Sequence, residues 1–303
     1  MNIIKIFQQN KPSVSIPLHT EKVPSPFFIV GSGRCGTTLL RRELSNVASV
    51  HIPPETFALP AAINTYRVGP KNNWDNIVDQ FLATFDYHPE FEYFELPSLR
   101  PLALQLKKIP TEEQSLEKII TGIYQYHAAY HNKNYEQWGD KTPMHVWHMD
   151  TIREIYPNAK FVHLMRDGVD VVNSWVKTHE NYTLEQAAKR WVKALCAFRK
   201  FSKRYPDNCY SLRYEDLVLN PAQEIKILCD FLDINSNLSK INQLDNVDNM
   251  GDVSVLEHHE NVFNEVNSNS IGKGRQVFSL EDKHVLQIII GTELSNNNYP
   301  PVI

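Results

Sequence analysis

The chain alternates between short apolar runs and longer segments in which apolar residues recur every three or four positions. The short runs predict buried strands over 27–31, 50–52, 160–165 and 209–214. Helical spacing predicts helices over 37–46, 146–156, 170–177, 184–201, 221–232 and 280–294, whereas 233–279 reads as polar and irregular. Strands that alternate with helices are typical of an α/β fold, in which a mostly parallel sheet is covered by helices on both faces.

The alternation is interrupted between about residues 60 and 135, where prolines separate helical pieces. Two apolar faces are visible there, formed by Ile77, Phe81, Leu82 and Phe85 and by Leu116, Ile119, Ile120, Ile123, Tyr124 and His127. Such insertions often shape a substrate pocket, so we expect a helical insertion on the substrate side. The polar, proline-bearing residues 1–25 predict a flexible N-terminal arm, followed by a single domain over 26–303.

Composition excludes several classes of protein. With 42% hydrophobic and 22% charged residues the chain is typical of a globular protein, and its net charge of −4 gives no overall basic field for nucleic acid. Its four cysteines lack metal-ligand spacing, which favours reduced thiols and a cytoplasmic location. No window approaches the roughly 18 consecutive apolar residues of a transmembrane segment.

The first candidate site follows the strand at 27–31. Three glycines, Gly31, Gly33 and Gly36, precede the paired threonines Thr37 and Thr38 at the start of a helix. Glycines let several backbone N–H groups point at one anion, and the helix N-terminus adds its positive end. The spacing matches a P-loop, but Thr37 occupies the position of the lysine that contacts the β- and γ-phosphates of ATP. The loop therefore predicts a phosphate site that does not serve ATP.

A second candidate phosphate site follows the strand at 160–165. Arg166 ends that strand, and the turn at Asp167 and Gly168 leads into a helix that carries Ser174. Open α/β sheets bind their ligands at the carboxyl ends of the strands. One guanidinium and one hydroxyl at this edge are suited to a second phosphate group.

These motifs, in this order, resemble those of sulfotransferases. The match continues through 139–143, 156–161 and 212–217, and it is nearest to the branch of bacterial and protein-tyrosine sulfotransferases. That family transfers a sulfuryl group from 3′-phosphoadenosine 5′-phosphosulfate (PAPS) to a hydroxyl or an amine and releases adenosine 3′,5′-bisphosphate. The resemblance implies a P-loop-type three-layer domain. No metal is required, because a sulfuryl group carries less charge than a phosphoryl group.

The resemblance also implies residue roles. The 5′-phosphosulfate would be held by Gly33, Arg34, Cys35, Gly36, Thr37 and Thr38, of which Cys35 replaces a more usual serine. Arg166 and Ser174 would bind the 3′-phosphate, and Tyr214 would line the adenosine site. Ser270, Lys273 and Arg275 belong to a basic, glycine-containing segment that would close over the nucleotide.

Glu55 is the candidate general base, because it follows the second predicted strand at the position where similar enzymes place a catalytic glutamate. A carboxylate within about 3 Å of the acceptor hydroxyl can take its proton. His51 is the alternative, since another branch of the family uses histidine. Lys141 and Arg34 would stabilise charge on the sulfuryl and leaving phosphate groups.

The sequence leaves the acceptor open among small molecules, saccharides, lipids and tyrosine, and allows a homodimer. Two other functions remain as alternatives, a P-loop small-molecule kinase and a nucleotide-binding module without catalysis. The first would need the missing lysine, and the second is disfavoured by the presence of Glu55 and Lys141. A polar segment looks like a solvated loop rather than a metal site, although it contains Asp245, Asp248, Asp252, Glu257, His258 and His259.

Overall fold

The computed structural model describes residues 16–20, 25–70, 73–179, 181–243 and 266–303. Its centre is a five-stranded, all-parallel sheet in the order β2–β3–β1–β4–β5. The strands are β1 (Phe27–Val30), β2 (Val50–His51), β3 (Gln137–Lys141), β4 (Lys160–Met165) and β5 (Cys209–Arg213). The predicted α/β fold class is therefore confirmed.

Twelve α-helices are described around this sheet. They are α1 (Thr37–Val47), α2 (Leu59–Val68), α3 (Trp74–Asp86), α4 (Arg100–Leu106), α5 (Leu116–Tyr130), α6 (Met149–Ile155), α7 (Gly168–Thr178), α8 (Leu184–Arg204), α9 (Tyr214–Leu219), α10 (Pro221–Leu232), α11 (Lys273–Val277) and α12 (Leu280–Asn296). Short 3₁₀ helices occur at Pro89–Phe94, Thr111–Glu113, Pro143–Trp147, Pro206–Asn208 and Leu238–Lys240.

Two apolar cores lie on the two faces of the sheet. Phe28 of β1 packs with the helices of residues 59–130, whereas its neighbour Phe27 packs with α1, α7, α8, α10 and α12. Successive side chains of a strand point to opposite faces, so both faces of β1 are buried. This explains why the strand is a continuous apolar run, and it produces the three predicted layers.

The strand β3 was missed by the sequence analysis, which treated part of it only as a motif. Trp138 is the one large apolar residue in Gln137–Lys141, whereas Asp140 and Lys141 are polar. A Cβ atom at Gly139 would lie 2.3 Å from the Phe27 ring, so glycine is needed where the two strands meet. Packing and buried polar groups therefore determine this strand, not hydrophobic alternation.

Other boundaries differ by a few residues. The helix predicted over 146–156 is a 3₁₀ helix, Pro143–Trp147, followed by α6, because Pro143 starts the turn early. The helix placed at 170–177 begins at Gly168, where the Asp167 side chain accepts from the Val169 N–H. Tyr214 starts α9 rather than ending β5, and α11 lies within the stretch expected to be irregular.

The helices between β2 and β3 carry the predicted apolar faces toward the core. The side chains of both predicted faces are buried, as in α3 and α5. Part of the expected arm is docked there, since the backbone oxygens of Pro17 and Leu18 accept from the N–H groups at the start of α5. Glu117 also accepts from the Thr20 N–H at 2.5 Å. The arm and the single domain over 26–303 otherwise stay predictions.

The candidate metal ligands from Asp245 to His259 lie outside the described residues. Within the described ranges, none of the helices has the length and apolar character needed to cross a membrane.

Candidate active site

The loop between β1 and α1 contains three residues in the left-handed backbone conformation. Gly33, Arg34 and Gly36 all have positive φ angles, of 77°, 58° and 94°. Such left-handed residues turn backbone N–H groups toward one side. Gly36 precedes α1 and has no side chain that could cap the first N–H groups of that helix. Thr37 and Thr38 begin the helix and are buried, which brings their hydroxyls to the predicted phosphate loop.

Two aromatic rings explain why the loop contains glycine at these positions. A Cβ atom on Gly33 would lie 2.8 Å from the Trp175 ring of α7. A Cβ atom on Gly36 would lie 2.5 Å from the Tyr214 ring at the start of α9. The loop is therefore packed between α7 and α9, and Tyr214 is next to the predicted nucleotide site.

The two predicted phosphate motifs meet in space. Nε of Arg34 donates to Oγ of Ser174 over 3.1 Å, although the residues are 140 positions apart. A guanidinium nitrogen of Arg166 lies 3.5 Å from the backbone oxygen of Arg34, and its guanidinium carbon lies 4.5 Å above the Tyr214 ring. The segments that follow β1, β4 and β5 thus bring two arginines, a serine and a tyrosine to one region.

The C-terminal segment is docked on the second motif. Arg166 donates to the backbone oxygen of Ser270 over 2.6 Å. Asp170 accepts from the N–H groups of Gly272 and Gly274, at 2.8 and 2.7 Å. The structure therefore brings Ser270 beside Arg166 and leaves Lys273 exposed at the start of α11, and the roles of both residues in nucleotide binding stay predictions.

Arg275 makes a different set of contacts. Its guanidinium donates to Oδ2 of Asp167 over 2.8 Å and to the backbone oxygens of Pro300 and Pro301. These contacts attach α11 to the turn before α7 and to the C-terminus. Arg275 is close to the nucleotide motif, but its guanidinium is engaged by protein groups, and its role in binding the nucleotide stays a prediction.

Glu55 and Lys141 form an ion pair at the neighbouring edge. Nζ of Lys141 lies 2.5 Å from Oε1 of Glu55; the lysine side chain is fully buried and the carboxylate 19% exposed. Lys141 ends β3, and Glu55 is in the loop after β2, so the pair joins two adjacent strands at their carboxyl ends. The Glu55 carboxylate is thus held against a buried cation and remains partly exposed at this edge of the sheet.

A buried polar network lies beside this pair, and the sequence analysis did not find it. The Thr56 N–H donates to Oγ1 of Thr142 over 2.8 Å, and its hydroxyl donates to Asp140 over 2.5 Å. Tyr124 also donates to Asp140, and Nε2 of His145 lies 2.9 Å from the Thr56 hydroxyl. Thr56 follows Glu55 directly, and Asp140 precedes Lys141, so the network fixes the backbone of both residues.

His51 has a different environment from Glu55. It is 6% exposed, and its Nε2 lies 3.1 Å from Nδ1 of His127 in α5. Burial, reinforced by the nearby Arg41, His131 and Lys133, lowers the pKa of His51 to about 3. The imidazole is therefore neutral at pH 7, and one of its nitrogens is engaged in the histidine pair.

Cys35 is buried within the phosphate loop. Burial raises the pKa of its thiol to about 11, so the group is protonated at neutral pH. A neutral thiol adds no negative charge beneath a bound anion, which is compatible with the predicted loop. The four cysteines are all free, in agreement with the predicted reduced thiols.

Arg190 of α8 is a further basic residue at the loop, and the sequence analysis missed it. Its Nε donates to the backbone oxygen of Ser32 over 3.0 Å. Its guanidinium carbon lies 4.6 and 4.7 Å from the rings of Trp147 and Trp175, as in stacked cation–π contacts. Nothing in the apolar pattern of α8 marks this position, because its partners come from three separate segments.

Comparison with known proteins supports the interpretation from geometry. The family model described as "Sulfotransferase family" matches residues 26–237. This chain belongs to the sulfotransferase family. A putative protein-tyrosine sulfotransferase of Caenorhabditis elegans is 27% identical over 80% of this chain and 84% of its own length. An omega-hydroxy-beta-dihydromenaquinone-9 sulfotransferase of Mycobacterium bovis is 25% identical over 68% of this chain and 62% of its own.

Solved structures support the same fold. The sulfotransferase domain from the curacin biosynthetic pathway has a TM-score of 0.64 and 21% identity, over 92% of this chain and 99% of that one. The sulfotransferase domain from the Synechococcus PCC 7002 olefin synthase has a TM-score of 0.63, also at 21% identity, over 97% and 99%. At this identity the likeness concerns the fold alone.

The activity of this sulfotransferase is the transfer of a sulfuryl group from PAPS to an acceptor. Neither alternative, the small-molecule kinase or the module without catalysis, is favoured by these findings. The substitution of Thr37 for the P-loop lysine agrees with this activity, because PAPS has no γ-phosphate for a lysine to contact.

Proposed function

We propose that PAPS binds across the carboxyl ends of β1 and β4, with its 5′-phosphosulfate in the loop at residues 31–38 and its 3′-phosphate at Arg166 and Ser174. The observation that carries this proposal concerns Arg166. Its Nε is buried and has no hydrogen-bond partner in the described structure, although the rest of its guanidinium is held by Arg34, Ser270 and Asp170. A buried, unsatisfied cationic donor at a strand end fits an absent anion.

The remaining nucleotide contacts follow from the same arrangement. Tyr214 would flank the adenosine, since its ring lies between Gly36 and Arg166. Gly33, Arg34, Cys35, Gly36, Thr37 and Thr38 would surround the phosphosulfate through backbone N–H groups and hydroxyls. Lys273 would add positive charge from the docked C-terminal segment, and Arg275 would hold that segment in place.

For the chemical step we propose Glu55 as the general base. The acceptor oxygen forms a bond to sulfur while the bond from sulfur to the 5′-phosphate oxygen breaks, and Glu55 takes the hydroxyl proton. Lys141 and Arg34 stabilise the negative charge that moves to the leaving phosphate. The exposed part of the Glu55 carboxylate supports this assignment, whereas the burial of His51 and its contact with His127 speak against a histidine base.

The acceptor is proposed to be a hydroxyl compound. The names of the similar proteins suggest two classes, the phenol of a tyrosine side chain and the terminal hydroxyl of a lipid-like chain. Small polar alcohols and saccharides stay in the set predicted from the sequence. The mechanism uses no metal ion, and the cytoplasmic location and the homodimer also stay proposals.

Two assays test this function. Calorimetry compares adenosine 3′,5′-bisphosphate with ATP and magnesium, and we expect clearly tighter binding of the bisphosphate. Labelled PAPS is then incubated with a tyrosine peptide or with a long-chain alcohol, and transfer is followed by chromatography. Tighter binding of ATP, or phosphoryl transfer from it, would contradict the proposal.

A further inference from the structure

A cavity lies at the free edge of β2, away from the nucleotide loop. Its volume is about 190 Å³, which exceeds the space that one water molecule needs. Its walls come from the end of α1, from β2, from the turn after the 3₁₀ helix Pro89–Phe94, and from the end of α5. Ser45 of this wall is eight residues along α1 from Thr37, or about 12 Å of helix.

The wall of the cavity contains buried polar side chains. His51 and His127 are 6% and 7% exposed and are joined by a nitrogen–nitrogen contact of 3.1 Å. Arg41 is buried as well, and its Nε donates to the backbone oxygen of Ile52 over 2.9 Å. A few polar groups that converge on a cavity are what fixes the orientation of a bound ligand.

Positive charge dominates the same wall. Arg41, Lys133 and His131 line the cavity, and each of them contributes to the lowered pKa of His51. Glu95 is the one acidic residue among the described residues of the lining, and it is exposed. The nucleotide mechanism uses none of these residues.

We propose that this cavity is a second anion site, which takes a small oxyanion of the size and charge of phosphate or sulfate. Arg41 and Lys133 supply its positive charge, and the imidazoles of His127 and His131 line its inner side. Two imidazole nitrogens 3.1 Å apart could also contact a metal ion, but the positive charges of Arg41 and Lys133 would repel a metal cation. Within the described ranges, no group of three metal-ligand side chains is present either.

The test uses inorganic phosphate and the full chain. Adenosine 3′,5′-bisphosphate is kept saturating so that phosphate does not compete at the nucleotide loop. Histidine side-chain resonances are followed by NMR during the phosphate titration, with assignments from His131→Gln and His127→Gln. We expect saturable shifts of His127 and His131, and no shift in a matched titration with sodium chloride.

Three variants at two exposed lysines test whether the phosphate binds at this cavity. Lys133→Gln should weaken phosphate binding by about three- to fivefold, as expected for loss of one solvent-exposed charge. Lys133→Arg should retain binding, because it keeps the charge. Lys108→Gln removes an exposed lysine that is not part of the lining, and it should leave the affinity unchanged.

Several outcomes would overturn the proposal. They are non-saturable shifts, equal affinities for Lys133→Gln and the wild type, and an equal loss in Lys108→Gln. Shifts produced by zinc but not by phosphate would make the cavity a metal site instead. The readout does not depend on sulfuryl transfer, so a negative result here leaves the proposed function untouched, and the reverse also holds.

Discussion

Lys141 and Glu55 are joined by a contact of 2.5 Å between a fully buried ammonium and a partly exposed carboxylate. Lys141 ends β3, and Glu55 follows β2, so the contact connects the sheet to the loop that would face the acceptor. Charge-assisted hydrogen bonds of this kind hold both partners in a fixed geometry. The pair therefore orients the proposed base before substrate binds.

Arg166 should determine selectivity for the 3′-phosphate. Replacing it with alanine removes the buried, unpartnered Nε and at least one charge-assisted hydrogen bond, each of which contributes roughly 1.5–3 kcal/mol. We expect Arg166→Ala to bind adenosine 3′,5′-bisphosphate at least about tenfold more weakly in calorimetry. AMP lacks the 3′-phosphate and is the internal control, so its affinity should change little. Equal losses for both nucleotides would show that Arg166 does not read the 3′-phosphate.

Arg190 should affect nucleotide binding indirectly, because it holds the loop between β1 and α1. Arg190→Gln removes the hydrogen bond to Ser32 and the stacking on Trp147 and Trp175. Because Arg190 acts on the nucleotide indirectly, only part of the roughly 1.5–3 kcal/mol of a charge-assisted hydrogen bond should be lost from binding, which should weaken by about two- to tenfold. Its exposed neighbour supplies the control, since Lys189→Gln breaks only a surface pair with Glu185. A Lys189→Gln variant that loses as much affinity as Arg190→Gln would refute the positioning role.

Much of the sheet could be predicted from the sequence because its strands are buried on both faces. β4 is mostly apolar and was predicted with its observed bounds, and the loop after β1 was predicted from its glycines. β3 was not predicted, because Gly139 is needed for close packing and Asp140 and Lys141 are polar. Local patterns cannot show that such residues are buried.

The residues of the candidate site also fall into two groups, those within a local sequence motif and those without one. Arg34, Arg166 and Ser174 lie in local motifs, and the structure brings them together. The contact of Thr56 with Asp140 joins residues 84 positions apart, and that of Arg190 with Ser32 joins residues 158 apart. Neither contact can be predicted from the local sequence, because the presence of a hydroxyl or a guanidinium does not indicate which distant residue it will contact.

Stability should fall in mild acid because buried histidines cannot take up protons. Burial lowers the pKa of His51 to about 3, of His127 to about 2 and of His163 to about 3. In the unfolded chain the histidine pKa is about 6.5, so between these values the unfolded state binds more protons. Stability is therefore highest above pH 6.5 and decreases as the pH falls toward 3.

Urea unfolding at pH 7.5 and 5.5 measures this effect. The urea concentration at the unfolding midpoint should be lower at pH 5.5 than at pH 7.5. The decrease should be smaller in His51→Asn, because that variant lacks one buried titrating group. The comparison uses the difference between the two pH values, so a general loss of stability in the variant does not obscure it. The same pH dependence in variant and wild type would exclude His51 as a contributor.

Glu55→Gln should separate proton transfer from binding. The amide keeps the size of the side chain, and its oxygen can still accept from Lys141, so the fold and the affinity for adenosine 3′,5′-bisphosphate should be retained. Loss of the base should slow single-turnover sulfuryl transfer by roughly 10²–10⁴-fold. His51→Asn is the matched variant, and because His51 is buried and in contact with His127, its transfer rate should stay near wild type. Full activity in Glu55→Gln together with an inactive, folded His51→Asn would make the histidine the base.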